Sequence, residues 1–131
     1  MPCVERYMTI EPCSIADTDS LSRARELMCE RLIRHLPVVD AEGHLVGIIS
    51  DRDVDVIAAI PDVDLVRVEV ARVMAPPLYV LTDAPIDEVS TLMAESKRDC
   101  VVVRGSHGMV GIFTATDALD ALADLARRAT A

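Results

Sequence analysis

The chain has 131 residues, 51% of them hydrophobic, and a formal net charge of −9; that is the size of one ordinary domain, or of two very small ones that bury little surface alone. Tyr7, Tyr79 and Phe113 are the only aromatics, so the core is aliphatic and the stacking platforms of single-strand nucleic-acid binders are missing. The acidic balance opposes a phosphate backbone or an anionic membrane surface, so neither nucleic acid nor membrane is an expected partner.

Cys3, Cys13, Cys29 and Cys100 show no C-x-x-C pair and no histidine at finger spacing, which argues against a zinc site or a disulfide framework and for free thiols. The N-terminal residues carry no apolar segment of signal-peptide length, and no run approaches the ~20 apolar residues of a membrane span. A soluble, cytoplasmic protein is expected.

An extended lead-in runs through Thr9-Ile10-Glu11-Pro12, followed by a short strand near Ser14-Ile15-Ala16. Residues 17–20 offer capping oxygens, and Leu21, Ala24, Leu27 and Met28 share one face at helical spacing, which predicts a core-packing helix over about 20–30. Apolar runs at 36–39 and 45–49, joined by the turn Asp40-Ala41-Glu42-Gly43, predict a hairpin in a covered sheet. A second helix is predicted from Asp51 to about 59, ended by Ile60-Pro61. Residues 61–73 admit two readings: Val66, Val68 and Val70 alternate as in a strand, but the position suits a linker with a short turn.

The second half replays the first. Met74 answers Met8, Pro77 answers Pro12, and Leu78-Tyr79-Val80-Leu81 supplies the short strand. Pro85 stands at the expected first helical position, and Ile86, Val89, Leu92 and Met93 repeat the first helix face 65 residues on. The strands read as repeating at 64, which puts one missing residue in the turn where Ser96-Lys97-Arg98-Asp99 replaces Arg31-Leu32-Ile33-Arg34-His35. Strands over 100–103 and 109–113 flank Ser106-His107-Gly108, and a last helix over about 115–128 begins with Asp117 and Asp120 and ends with Arg127-Arg128, as its dipole favours.

Within this repeat lies a motif, Gly47-Ile48-Ile49-Ser50-Asp51-Arg52-Asp53 and Gly111-Ile112-Phe113-Thr114-Ala115-Thr116-Asp117. Each copy sets a hydroxyl at a strand end and an aspartate three residues on, at a helix start. That arrangement is a capping box, and it can equally present a hydroxyl, a carboxylate and free N–H groups to a ligand. Ile48 and Ile112 fall on the side of Ser50 and Thr114, as core or as walls for a purine.

These residues, with Arg34-His35-Leu36-Pro37-Val38-Val39-Asp40, resemble the tandem CBS domains, or Bateman modules, over essentially the whole chain, as a stand-alone pair. The second copy departs at Asp99-Cys100-Val101, where Leu-Pro is usual, and at Arg104, where an acidic residue is common. The resemblance implies an α/β (α+β) fold of two β-α-β-β-α repeats over 1–60 and 74–131, joined by 61–73 and packed through their sheets with pseudo-two-fold symmetry. It implies adenosine-type ligands, AMP, ADP, ATP or S-adenosylmethionine, in clefts between the repeats. Asp53 and Asp117 would take ribose hydroxyls, with Ser50, Thr114 and Thr116 nearby. Val4, Thr9, Ile33 and Arg34 would face Asp117; Val70, Ala75, Lys97 and Arg98 would face Asp53. His35, Arg52 and the cations Arg34, Lys97 and Arg98 would neutralise a polyphosphate, or form solvated turns.

The expected function is a regulatory module signalling ligand occupancy to an unidentified protein. The alternative is a dimerisation module with vestigial clefts, a disc of four repeats joined through the helices around 24–28 and 89–93. No P-loop, Gly-x-Gly-x-x-Gly, His-Glu-x-x-His or nucleophile–histidine arrangement is present, so neither catalysis, a catalytic cofactor nor a metal is expected.

Overall fold

The computed structural model describes residues 1–10 and 13–130, so Glu11 and Pro12 of the lead-in lie outside the described residues. In chain order the regular elements are β1 (Thr9–Ile10), β2 (Ile15–Ala16), α1 (Leu21–Arg31), β3 (His35–Val39), β4 (Leu45–Ser50), α2 (Asp51–Ala58), β5 (Tyr79–Leu81), α3 (Ile86–Ser96), β6 (Cys100–Gly105), β7 (Gly108–Thr114) and α4 (Ala115–Thr130). Three short 3-10 turns, Val4–Arg6, Leu65–Arg67 and Val70–Arg72, complete the fold. The segment 61–73 is therefore a linker with turns, and its valine alternation does not make a strand.

The chain divides into a middle unit, Cys13–Pro77, and a split unit made of the segments on either side of it. The middle unit carries the sheet β2-β3-β4, with β2 parallel to β3 and β3 antiparallel to β4. Leu21, Ala24, Leu27 and Met28 of α1 meet Leu36, Val38 and Ile49 of the sheet and Val54 of α2 in its core, and Val70 closes the cluster. Helix α1 starts because the Ser20 hydroxyl accepts the Arg23 N–H at 3.1 Å. It ends at Leu32, whose left-handed φ of 54° lets the Ile33 N–H reach Met28 O at 3.0 Å.

The split unit repeats this plan on the sheet β1-β7-β6-β5. Its core joins Val4, Ile86, Val89 and Met93 to Val101, Val103, Phe113 and Ala121. Helix α3 ends as α1 does, at Lys97 with φ 55°, the Arg98 N–H bonding to Met93 O at 2.9 Å. Pro85 is the residue before the helix, extended at φ −64° and ψ 141°, rather than its first helical position.

Two expectations change. The missing residue is not in the turn after the helix: His35 pairs with Ser50 and Cys100 with Thr114, so the turns from α1 to β3 and from α3 to β6 have equal length. It is lost in the hairpin, where five residues separate Val39 from Leu45 but four separate Arg104 from Met109. The apolar strands fit either offset, because Val101 and Val102, not a displaced Leu-Pro, stand where Leu36 and Pro37 do. The apolar faces of α1 and α3 are core as well, with Ala24 and Val89 at 0% and 2% exposure, and so offer nothing to a second molecule. Exposed apolar side chains include Leu32 at the end of α1, Val56 on α2, Ile60 just beyond it, Val66, Leu81 on β5, and Leu119 and Leu122 on α4. Among the described residues no helix is long and apolar enough to cross a membrane.

Candidate ligand site

Each motif begins with a glycine that the lead-in crosses. In the split unit Thr9 pairs with Ile112 and Ile10 with Gly111. A Cβ on Gly111 would lie 2.5 Å from Thr9 O and 3.0 Å from Met8 Sδ. In the middle unit Ile48 and Ala75 exchange both backbone hydrogen bonds at 2.9 Å, and a Cβ on Gly47 would meet Met74 Sδ at 2.5 Å and Ala75 O at 3.0 Å. The glycine is required because a strand and a methionine pass where a side chain would stand. The equivalence of Met8 and Met74 was the sequence signal for this crossing; the strand pairing itself had none.

At the strand end both motifs form the capping box. In the middle unit the Ser50 hydroxyl accepts the Asp53 N–H at 3.1 Å while Asp53 Oδ2 accepts the Ser50 N–H at 3.0 Å. In the split unit the Thr114 hydroxyl accepts the Asp117 N–H at 3.3 Å and Asp117 Oδ2 accepts the Thr114 N–H at 3.0 Å. The cap consumes one carboxylate oxygen in each case. Oδ1 of Asp53 and of Asp117 accepts no hydrogen bond among the described residues, and both aspartates are half-buried.

The split unit adds a donor. The Thr9 hydroxyl reaches Asp117 Oδ2 at 3.4 Å, and two turns along α4 the Tyr7 hydroxyl donates to Asp124 Oδ2 at 2.9 Å. Burial raises the Asp117 pKa, against the lowering pull of the Thr114 N–H, the Thr114 hydroxyl and the Thr9 hydroxyl, and Asp120 adds to the rise. Cys100, opposite Thr114, is pushed up to about 12 by burial and then by Asp99, which leaves a neutral thiol rather than a nucleophile.

The other candidates fall into three groups. Ile48 and Ile112 are buried at 4% and 5% exposure, yet belong to neither helix-side core. Val4 and Val70 are core residues at 0% exposure; their N–H groups bond to Ala84 O and Asp19 O, both at 2.8 Å, and their carbonyls accept from the turns that follow. The turn residues sit beside their own unit's motif. Arg34 O accepts the Asp51 N–H and Asp99 O the Ala115 N–H, both at 2.9 Å, and His35 pairs with Ser50. Arg34 and Lys97 are exposed and Arg98 half-buried, while Arg52 and Thr116 are exposed in the first turns of α2 and α4. Ile33 lines a groove of about 250 Å³ between α1 and α2, beside the ion pair of Arg25 with Asp55.

Comparison with known proteins follows the same repeat. The model of the CBS domain matches residues 4–57 and 69–124. Over 92 residues, 69% of this chain, the sequence is 40% identical to the magnesium transporter MgtE of Thermus thermophilus, but that stretch is 19% of the transporter; the chain spans 10–30% of the length of the curated relatives it matches. Among solved structures, a CBS domain pair in complex with 5-methylthioadenosine and S-adenosyl-L-methionine superposes with a TM-score of 0.84 at 25% identity, over 95% of this chain and 98% of that one. CBSX2 in complex with AMP superposes with a TM-score of 0.78 at 25% identity over the same shares.

Proposed function

The chain belongs to the CBS-domain family, and from that premise we propose that it is a regulatory module, not an enzyme, that binds an adenosine-type ligand (AMP, ADP, ATP or S-adenosylmethionine) at the two motifs. One observation carries the reading: each motif aspartate spends a single carboxylate oxygen on its helix cap and keeps Oδ1 uncommitted at a helix start. An ionised carboxylate there accepts from vicinal ribose hydroxyls. The relatives crystallised with AMP and with S-adenosyl-L-methionine support the ligand class.

In this reading Asp53 and Asp117 take the ribose, and Ser50, Thr114 and Thr116 flank it. Ile48 and Ile112 wall the base. Thr9 serves Asp117, and Ala75 and Arg52 serve Asp53; Ile33, Arg34, His35, Lys97 and Arg98 remain the polyphosphate and base candidates of the turns. Val4 and Val70 contribute by shaping the lead-ins from within the cores. The module is cytoplasmic and signals occupancy to a partner protein through differential affinity for two states of that partner. Calorimetric titration with AMP, ATP and S-adenosylmethionine tests the reading. Binding that weakens in Asp53→Asn and Asp117→Asn, which keep a cap acceptor but remove the charge, is expected; silence toward all three ligands sinks it.

A second reading, self-association, has its own observation. Ala115, Leu119, Leu122, Ala126 and Ala129 lie at alternating spacings of four and three along the exposed side of α4, the pattern of a coiled-coil seam. Asp117 and Asp120 stand at one end of that helix and Arg127 and Arg128 at the other, so two copies paired antiparallel would set acid against base. This favours a homodimer, the disc of four repeats being its family form. Light scattering decides it, with Leu119→Glu expected to give a monomer.

A further inference from the structure

The two motifs have the same backbone and different chemistry. Thr9 is paired with Ile112 in the split unit as Ala75 is with Ile48 in the middle unit. At this shared register position one unit carries a hydroxyl and the other a methyl. That hydroxyl lies 3.4 Å from Asp117 Oδ2, the oxygen already held by the Thr114 N–H at 3.0 Å. Two donors from two different strands on one oxygen restrain the carboxylate more than the cap donor alone. Asp53 Oδ2 has only the Ser50 N–H among the described residues, so the capping box alone restrains its carboxylate.

We infer that Thr9 is a positioning residue for Asp117, and that its replacement by Ala75 in the other motif makes the Asp117 motif the tighter of the two for a vicinal diol. An acceptor held by two donors binds better than one held by a single donor because less freedom is lost when the ligand arrives. The hydroxyl also stabilises the ionised carboxylate, the form that accepts from both ribose hydroxyls. This deepens the adenosine reading and rests on it.

The experiment isolates each motif. With AMP as the probe in calorimetry, Asp53→Ala leaves the Asp117 motif and Asp117→Ala leaves the Asp53 motif. Adding Thr9→Val to the first is expected to weaken AMP binding roughly three- to tenfold; Thr9→Ser restores it. Adding Ala75→Thr to the second is expected to tighten AMP binding by a similar factor. A second readout needs no ligand. The Asp117 carboxyl, followed by carbon NMR, titrates at higher pH in Thr9→Val than in the parent, since a donor to the charged form is lost; Asp120 on its own helix and Cys100 and Asp99 on the neighbouring strand are unchanged between the two. If AMP binds through Asp117 and is indifferent to Thr9→Val, or if the carboxyl titration does not move, the inference falls while the ligand reading stands. If the parent binds neither AMP nor S-adenosylmethionine, the ligand reading fails and the proposed ranking of the motifs fails with it.

Discussion

In the split unit the lead-in runs as a two-residue strand, stacks Met8 under Gly111 and lays Thr9 on the motif aspartate. In the middle unit the equivalent stretch makes one bridge at Ala75, with Met74 under Gly47; Pro77, the next position that would donate to β4, has no N–H. Main-chain geometry is thus kept between the units down to the 2.8 Å bonds of Val4 and Val70, while the side chains beside the motifs differ, Thr9 in one unit and Ala75 in the other. A repeated backbone is held by requirements common to both copies: a buried N–H must be paired, and a crossing strand needs a glycine beneath it. The residues above the motif are under no such common requirement.

The largest effect expected from breaking this comparison is in the cores. Phe113 is the only aromatic among the fully buried core residues described, where the middle unit has Ile49. Phe113→Ala should cost about 3–5 kcal/mol by cavity formation, against about 1 kcal/mol for Ile49→Val, in urea denaturation followed by circular dichroism. Equal losses would mean that the aromatic side chain is not what fills the split unit's core.

The glycines come next. Gly111→Ala places its methyl against a backbone oxygen at 2.5 Å, whereas Gly47→Ala first meets the flexible Met74 side chain. The former should destabilise by about 1–3 kcal/mol and the latter by less. The reverse order would show that Met74 is the more rigid obstacle.

The smallest effect is electrostatic, and its sign differs between the units. Asp117 has a raised folded pKa, chiefly from burial. The folded protein therefore binds the extra proton first, and stability is gained as pH falls from that raised value toward the ordinary 3.8. Asp40, in the middle unit's hairpin, is lowered first by the His44 N–H, against some burial, with the Glu42 N–H adding to the fall. Its contribution is present above 3.8 and is lost as pH falls through the lower folded value. In a series of urea midpoints across the acid range, Asp117→Asn should steepen the loss of stability and Asp40→Asn should soften it. Parallel shifts in the two variants would contradict the opposite environments of the two carboxylates.

Periodicity and turn chemistry were sufficient for the helices and most strands, since the apolar faces of α1 and α3 and the hairpin strands are local patterns that burial enforces. The capping boxes were legible too, because Ser-x-x-Asp and Thr-x-x-Asp satisfy the helix start with atoms three residues apart. The place of the one-residue gap is not legible in the sequence, because Cys100-Val101-Val102 matches two strand registers equally well, and only the pairing of Cys100 with Thr114 selects one. The crossing of each lead-in over a motif glycine, and with it the inequality of Thr9 and Ala75, was decided by tertiary structure. Those contacts join residues about a hundred positions apart in one unit and about thirty in the other, and no local propensity encodes which strand edge an extended segment will find.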